Sequence, residues 1–296
     1  MQRIVSLDSQ ILNSIQLCER RTQYAFVDSI APAEKAEALE RGDLIHKMLE
    51  IHNGLISNCA RHESDTWVAM REFGLTIEVC ATNPLEYAVK AARLFAAKMS
   101  LPTEEVEECI FQFKEYSDFY KHDTWETLAI EEVGAKVLFE DDYLKVIYNF
   151  KIDRLARNGS IIAPWDYKTS KRRTETSSLS NQFIGYAWGT DSSYVVIDKI
   201  GFQKTLKREE RFQRIILPYE QERITEWQQN AIHWAFVYDA CLNTGKFTMN
   251  LTSCDKYSGC IYRPICEKGP SSRQWVIERD FQPRETWDPA KYLEAK

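Results

Sequence analysis

The chain has 296 residues, of which 44% are hydrophobic and 28% are charged. This is the composition of a globular protein, and it excludes a disordered tail protein. The formal net charge of −6 excludes a basic field over the whole surface, so any contact with DNA must be local. No run of the sequence approaches the 18 apolar residues that a membrane-spanning helix requires, so we expect no membrane association.

The cysteines indicate a reducing environment. The chain contains eight of them, and its start, Met1 to Asp8, carries no apolar leader segment. In a cytoplasmic, reducing interior, cysteines are free, catalytic or metal-bound, and disulfides are rare. We therefore expect an intracellular protein.

The first part of the chain is predicted to be helical, because apolar residues recur there at helical spacing. Four helices are predicted: one after Asp8 and Ser9, one from about Pro32 to Gly54, one from Pro84 and one from Thr103. We interpret the interval 55–125 as a helical insert.

The second part changes to alternating or short apolar runs, which is the pattern of β-strands. Strands are predicted over 128–139, 143–155, 160–168, 194–202 and 212–217, with a helix over 182–188 and a last long helix from Pro218 to Gly245. No repeat or low-complexity linker divides the sequence. We predict a single α/β domain over 1–296, with a cysteine-bearing segment over 246–270.

A β-hairpin is predicted at the Asn-Gly pair of residues 158–159, which is a strong short-range turn signal. If these two residues form the loop, residue 157 pairs with residue 160, and Asp153 lies opposite position 164. Because side chains alternate along a strand, Asp153, Asp166 and Lys168 then share one face of the hairpin. Two carboxylates and an ammonium group are therefore expected to converge.

This convergence suits metal-dependent chemistry. A divalent cation with oxygen ligands at about 2.1 Å could be held between Asp153 and Asp166. An ammonium group beside it, from Lys168, could orient a metal-activated water and offset charge on an attacked phosphate. Composition alone leaves open a second interpretation, a solvated strand with three exposed charges.

Further residues carry a resemblance to a known family. The runs Ile152-Asp153-Arg154 and Trp165-Asp166-Tyr167-Lys168-Thr169 resemble the active-site signature of the PD-(D/E)xK nuclease superfamily. They are most similar to its RecB/AddB-type iron-sulfur exonuclease branch, which includes the CRISPR-adaptation and exonuclease V type nucleases. Two helix motifs of that branch are also present, as Gly42-x-x-x-His46 and Gln182-x-x-x-Tyr186. The resemblance implies a restriction-endonuclease-like core, with a mixed central sheet flanked by helices.

The resemblance also implies roles for single residues. A histidine joins the two aspartates at a Mg²⁺ or Mn²⁺ ion; His46 has the family spacing, although His52 on the same helix has an equal claim by chemistry. Gln182 and Tyr186 share a helix face and could reach a phosphate or Lys168.

A glutamate on the strand before the hairpin is implied to line the site. We choose Glu131 over the neighbouring Glu132, with little to separate them. The chain departs from the family at Lys151, where a glycine usually stands two residues before the aspartate.

The cysteines form a second constellation. Cys254, Cys260 and Cys266 lie in a segment with a glycine and a proline that suits a wrapped loop, and three thiol ligands need a fourth. Cys18 resembles the N-terminal cysteine of the iron-sulfur branch, which implies a 4Fe-4S cluster held by all four. Zinc is the alternative. Five residues separate Cys254 from Cys260, where the family commonly has two.

Basic residues near these motifs predict a local nucleic-acid surface. It comprises Lys171, Arg172 and Arg173 after the active-site strand, and Arg20 and Arg21 near the chain start. A plain solvated loop is the alternative interpretation of the first three. No phosphate-binding Gly-x-x-x-x-Gly-Lys-Ser/Thr loop is present, so we expect no helicase motor in this chain. The protein should act alone or receive strands from a helicase or recombination partner.

The sequence therefore predicts a metal-dependent DNA nuclease, acting as an exonuclease on single strands in recombination, repair or DNA processing. The alternative is an iron-sulfur DNA-binding subunit with a vestigial nuclease site. Retention of His46, Asp153, Asp166, Lys168, Gln182 and Tyr186 together argues against that alternative.

Overall fold

The computed structural model describes residues 2–33, 37–57, 82–99, 101–171, 175–203, 205–256, 259–285, 287 and 289. Two of the predicted nucleic-acid residues, Arg172 and Arg173, lie outside these ranges, as do the cysteines Cys59 and Cys80. Within the described ranges, no helix is long and apolar enough to cross a membrane.

The strands of the described chain are eight in number. They are β1 Arg3–Leu7, β2 Ile30–Pro32, β3 Glu126–Glu140, β4 Leu144–Asn158, β5 Ile161–Ser170, β6 Tyr194–Gly201, β7 Phe212–Pro218 and β8 Phe281–Pro283. The five predicted strands correspond to β3 to β7. β1 and the two three-residue strands were not predicted, because none of them has an apolar run long enough to show an alternating period.

Ten α-helices lie in the described residues. They are α1 Ser9–Leu17, α2 Glu19–Thr22, α3 Glu37–Ser57, α4 Pro84–Ala96, α5 Thr103–Phe119, α6 Asn181–Gly189, α7 Arg208–Arg211, α8 Gln221–Thr244, α9 Arg263–Cys266 and α10 Arg273–Asp280. The helices after Pro84 and Pro218 have the predicted positions. The prediction for α3 was wrong at both ends: Ile30–Pro32 forms β2, and the helix continues past Gly54 to Ser57. A single glycine in a helix costs only about 1 kcal/mol, which packing of the helix offsets.

The main sheet has six strands in the order β1-β4-β5-β6-β7, with β3 paired to the other edge of β4. β1 with β4 and β5 with β6 are parallel, and the remaining pairs are antiparallel. The predicted α/β fold with a mixed central sheet is confirmed. On one edge of β4, β1 covers residues 144–148 and β5 covers residues 154–158, so the two registers leave residues 149–153 uncovered between them.

Helices cover both faces of this sheet. α3, α4 and α5 bury one face, and their core includes Leu44, Met48, Phe113 and Trp165. α1, α6 and α8 bury the other face around Leu12, Tyr148, Trp188 and Trp227. Trp165 and Tyr167 are 0% and 2% exposed, so β5 turns their rings into the first core while Asp166 and Lys168 face the other way.

The hairpin register differs from the prediction. Asn158 pairs with Ile161, so the two-residue loop is Gly159-Ser160, and Gly159 takes the left-handed φ of 60° that such a loop requires. Each residue of β4 therefore lies opposite a β5 residue two positions later than predicted. Because the shift is even, it does not change which side chains share a face.

A segment from the first part of the described chain meets a segment from its last part. β2 pairs antiparallel with β8, and a small core of Tyr24, Tyr262, Ile265 and Phe281 lies beneath them. A single π-helical turn, Gln23–Val27, joins α2 to this region. The predicted segment over 246–270 therefore packs against the start of the chain.

Candidate active site

Carboxylates on three neighbouring strands lie side by side at the uncovered stretch of β4. Arg154 and Trp165 form the β4–β5 pair nearest to the uncovered stretch. Asp153 precedes Arg154 and Asp166 follows Trp165, so the two aspartates lie opposite each other when the register is continued by one residue. On the other edge, the pairs Ile130–Arg154 and Glu132–Ile152 bracket Asp153 and set it opposite Glu131. The corrected register thus brings the two aspartates closer than the diagonal placement that the sequence predicted.

Glu131 adopts an unusual backbone conformation. Its φ is 50°, in the left-handed region that residues other than glycine rarely occupy. Such a conformation costs of order 1–3 kcal/mol and is found most often at functional sites. Glu131 lines the cleft that also contains Asp153 and Asp166, whereas Glu132 does not line it.

His46 on α3 contacts both strands of the site. Its Nε2 lies 2.9 Å from the carbonyl oxygen of Tyr167, and its Nδ1 lies 3.3 Å from Asp153 Oδ1. Gly42 lies one turn earlier on α3, where a Cβ atom would approach Thr169 Oγ1 to 3.3 Å, so glycine allows the helix to pack closely against β5. This contact explains the glycine of the Gly-x-x-x-His motif.

His52 lies elsewhere. Its ring packs edge-on against Phe113, at 5.5 Å between centroids. Burial and the Arg154 charge lower the pKa of His52 to about 4. Of the two histidines that the sequence left as candidates, the structure places His46 beside the carboxylates.

Gln182 on α6 links the catalytic candidates to one another. Its Nε2 donates to Asp166 Oδ1 at 3.0 Å and lies 2.8 Å from the Tyr186 hydroxyl, and its Oε1 accepts from Lys168 Nζ at 3.1 Å. Tyr186 in turn donates to the Lys151 carbonyl at 2.6 Å. The Gln-x-x-x-Tyr motif therefore connects α6 to β4 and β5 across the uncovered edge.

The buried carboxylates differ in their electrostatic surroundings. Burial raises the pKa of Asp166 to about 6; Lys168 opposes this shift and the Asp153 charge adds to it. Burial also acts to raise the pKa of Asp153, but the His46 charge and hydrogen bond outweigh it and lower the pKa. Burial lowers the pKa of His46, and the charge of Asp153, with smaller effects of Asp166 and Glu131, raises it to about 9. The raised pKa of His46 and the lowered pKa of Asp153 both favour an ion pair between the two side chains.

These side chains suit a divalent cation, although the described residues contain no preformed group of three His, Cys, Asp or Glu ligands. Asp166 Oδ2 is buried and makes no directed hydrogen bond; its close neighbour is Lys168 Nζ at 2.7 Å. The Tyr167 carbonyl can only accept, so His46 Nε2 carries a proton and Nδ1 faces Asp153. The Lys168 ammonium group faces Asp166, and Nδ1 is the imidazole nitrogen that faces Asp153. Once Nδ1 has lost its proton, this nitrogen and the carboxylate oxygens are ligands that Mg²⁺ and Mn²⁺ accept.

Two charged residues of the cleft, Glu50 and Lys151, have no role in the sequence-based prediction. Glu50 follows His46 by one helical turn; its Oε2 lies 2.5 Å from Lys47 Nζ, and its Oε1 is buried without a hydrogen-bond partner. Lys151, noted only as a departure from the family, forms an ion pair with Glu131. The helical spacing of Glu50 from His46 was a signal available in the sequence. Glu50 and Lys151 line a cleft of about 810 Å³ together with Asp153, Asp166 and Lys168.

The predicted nucleic-acid residues that the structure describes do not line the cleft. Lys171 Nζ pairs with Glu105 at 2.9 Å, and Arg41 contacts the same glutamate. Arg20 Nε donates to the Phe247 carbonyl at 2.9 Å, against the C-terminal segment. None of Lys171, Arg20 and Arg21 is among the residues that line the cleft. Their assignment to DNA stays a prediction.

The four predicted cluster cysteines lie near one another. Cys18 Sγ accepts the Asn250 N–H at 3.3 Å, and the Cys260 N–H donates to the Cys254 carbonyl at 2.8 Å. All four are free and partly exposed. Burial raises the pKa of Cys254 and of Cys266, and in both cases the charges of Cys18 and Cys260 add to the effect.

This proximity of four thiols is compatible with a soft metal centre, since thiolates bind iron-sulfur clusters and zinc. The described residues do not show a preformed metal-binding group of cysteines. The remaining described cysteines, Cys109 and Cys241, are buried elsewhere in the two main cores.

Comparison with known protein families agrees with this geometry. The family model of the PD-(D/E)XK nuclease superfamily matches residues 10–267. The chain belongs to this superfamily. The matched range includes His46, Asp153, Asp166, Lys168 and Gln182, and the superfamily supports phosphodiester hydrolysis as the class of activity. The comparison with curated protein sequences finds no match.

Several solved structures are similar to this member of the superfamily. A proposed exonuclease from Eubacterium rectale is 10% identical, with 98% of this chain and 92% of that one covered and a TM-score of 0.46. LHK-Exo in complex with dAMP is 7% identical, with coverages of 67% and 93% and a TM-score of 0.33. A phage-related exonuclease from Haemophilus somnus is 13% identical, with coverages of 66% and 95% and a TM-score of 0.27. These scores are low, so the family assignment rests on the match to the family model.

Proposed function

We propose that this protein is a metal-dependent DNA nuclease that hydrolyses phosphodiester bonds, and that it acts as an exonuclease on single strands. The observation that carries the proposal is the convergence of His46, Asp153, Asp166 and Lys168 in one cleft. A buried carboxylate pair with an ammonium group beside it is costly to stability, which makes a purely structural role a poor explanation. The exonuclease preference rests on the resemblance of the sequence motifs.

The proposed metal ligands are His46, Asp153 and Asp166, with Glu131 nearby. A bound Mg²⁺ or Mn²⁺ ion would supply Lewis-acid activation of the attacking water and neutralise charge on the phosphate. Lys168 is 43% exposed at its side chain, so its ammonium group reaches the cleft while Asp166 and Gln182 restrain it. Its role is to orient the water and to stabilise the negative charge that develops on the phosphate oxygens.

Gln182 and Tyr186 act as positioning residues. The Gln182 amide holds Asp166 and Lys168 at once, so it sets the distance between a metal ligand and the ammonium group. Tyr186 holds Gln182 and the backbone of β4 two residues before Asp153. Geometry of this kind matters because small displacements of reacting groups cost large factors in rate.

We also propose a 4Fe-4S cluster bound by Cys18, Cys254, Cys260 and Cys266. Its support is the sequence resemblance and the proximity of the four thiols across 235 intervening residues. Such a cluster would join α1 to the C-terminal segment, so its binding free energy would add to the free energy of folding. The role proposed for it is structural.

The remaining proposals concern DNA contacts and organisation. Lys171, Arg172, Arg173, Arg20 and Arg21 are proposed to contact the phosphate backbone, and a helicase or recombination protein is proposed as a partner that supplies strands. The interval 55–125 is proposed as a helical insert; its described part contains α4 and α5.

The test of the function uses anaerobically purified protein with end-labelled linear and circular DNA, each single- and double-stranded. Cleavage of linear single strands with Mg²⁺ or Mn²⁺, absence of cleavage with EDTA, and intact circles are expected. Cleavage of circular single strands would replace the exonuclease by an endonuclease. DNA binding without cleavage under any metal condition would favour the alternative of a DNA-binding subunit.

A further inference from the structure

A second group of charges lies beside the proposed metal ligands. Glu50 lies one helical turn after His46 on α3, and Glu131 lies on β3, the strand next to Asp153. Both side chains line the same cleft. Burial raises the pKa of Glu131; the Lys151 charge opposes this shift, and the charges of Asp153 and Glu50 add to it. The two glutamates therefore interact electrostatically. Two adjacent carboxylates in a cleft could bind a second divalent cation.

One oxygen of this group has no partner. The Glu50 residue is 4% exposed, and its Oε1 accepts no hydrogen bond, whereas Oε2 is paired with Lys47. A buried carboxylate oxygen without a hydrogen bond is costly to the folded state and needs a compensating positive charge nearby. Lys47 supplies part of that positive charge, and the rest must come from a second cationic group or ion.

Lys151 is a nearby source of positive charge, and the Glu50 charge acts on its ammonium group. Its side chain leaves β4 on the face of Asp153, two residues away, and forms an ion pair with Glu131. Glu131 is thus paired with a cation from the protein itself. The strained φ of 50° at Glu131 aims this carboxylate at the cleft, which a surface salt bridge would not need.

We propose that Lys151 is a built-in cation that takes the place of a second metal ion at the Glu50–Glu131 carboxylate pair. The proposal rests on the proposed function, in which His46, Asp153 and Asp166 hold the first ion. The wild-type cleft then binds one divalent cation, because an ammonium group at Glu131 repels a second one and occupies its ligand. Removal of the ammonium group leaves two carboxylates, one with an open oxygen, and opens the second site.

The test counts bound Mn²⁺ on the anaerobically purified full-length protein, by electron paramagnetic resonance of free Mn²⁺ and by titration calorimetry. The wild type should bind one equivalent at the cleft, and Lys151→Ala should bind two. Lys151→Ala/Glu50→Gln should return to one equivalent, because the open carboxylate oxygen is lost. Lys151→Met, which retains the length of the stem, serves as a second variant if Lys151→Ala folds poorly.

A matched control lies on the same two strands. Lys145→Ala removes the ion pair of Lys145 with Glu140, neither of which lines the cleft, and should leave one equivalent. As a second readout, the Tm of Lys151→Ala should rise with Mn²⁺ over a wider concentration range than that of the wild type, since two sites are filled.

The outcomes separate the two proposals. Two equivalents on the wild type, or one equivalent on folded Lys151→Ala and Lys151→Met, would overturn the role of Lys151 and leave the nuclease proposal intact. No Mn²⁺ on the wild type would overturn the metal site of the proposed function itself and this inference with it. Asp166→Asn should abolish the single wild-type equivalent, which identifies the site that is counted.

Discussion

Asp153 Oδ2 accepts the backbone N–H of Tyr167 at 2.8 Å, so the strand that carries Asp166 also holds the other aspartate. The carbonyl of the same Tyr167 contacts His46 Nε2 at 2.9 Å. One peptide segment therefore positions the imidazole and both carboxylates, and the Tyr167 ring anchors that segment in the core beneath α3. The three proposed metal ligands depend on one another through this strand.

The first prediction concerns the buried carboxylate and the ammonium group. Asp166→Asn and Lys168→Met should each lower the rate of DNA cleavage at least about a hundredfold, because each removes an interaction made in the transition state. Binding of single-stranded DNA should change little. The exposed Asp142, on the β3–β4 turn, provides Asp142→Asn as a control that should cleave at the wild-type rate.

The second prediction separates the two histidines of α3. His46→Ala should remove a metal ligand, so cleavage should fall at least about tenfold and should need more Mn²⁺ for half-maximal activity. His52→Ala should retain the wild-type Mn²⁺ requirement, since its ring packs on Phe113 away from the aspartates. Mn²⁺ titrations of cleavage by both variants make the comparison, and the reverse order would reject His46 as the ligand.

The third prediction concerns stability against pH. In the unfolded chain His52 takes up a proton near its ordinary pKa of 6.5, whereas the folded protein does so only near 4. The stabilisation from neutral, buried His52 is therefore present above about pH 6.5 and is lost as the pH falls towards 4, by about 3 kcal/mol in total.

Urea unfolding of the wild type and of His52→Gln, from pH 7.5 down to 4.5, measures this effect. The variant should show a shallower loss of the free energy of unfolding with falling pH, whatever its absolute stability. His122→Gln, at an exposed histidine, should keep the wild-type slope. Equal slopes for the wild type and His52→Gln would contradict the buried neutral state.

The fourth prediction tests the packing of α6 against the sheet. In an open helix, Gly185→Ala would stabilise the protein by about 1 kcal/mol. Here the added Cβ would overlap the phenol ring of Tyr148, so the substitution should instead destabilise the protein by about 1–3 kcal/mol. Gly269→Ala, where no atom lies within 4 Å of the added Cβ, should be close to neutral. Thermal unfolding of both variants makes the measurement.

The fifth prediction concerns the cysteines. Anaerobically purified wild type should be brown and contain iron, and Cys18→Ser should lose both the colour and stability, because the cluster joins the two chain ends. Cys109→Ser and Cys241→Ser should keep the iron. One zinc ion in place of iron would reject the cluster and retain a four-cysteine site. Full iron retention in Cys18→Ser would reject Cys18 as a ligand.

The sequence by itself determined which face of the β-hairpin carries the catalytic candidates. Asp153, Asp166 and Lys168 share a face because strand side chains alternate, and this holds although the hairpin loop is Gly159-Ser160. An error of two residues in register preserves the alternation. The helical spacing of Gly42 and His46, and of Gln182 and Tyr186, is likewise local, and these pairs lie as the motifs indicate.

Only the tertiary structure decided which residues of different elements meet. The choice of His46 over His52 depends on how α3 docks on β5, over more than a hundred residues of sequence separation. The neighbourhood of Glu50, Glu131 and Lys151 depends on three elements at the uncovered edge of β4. Local periodicity contains no information on such docking, because the free energy that selects it comes from burial of side chains contributed by distant segments.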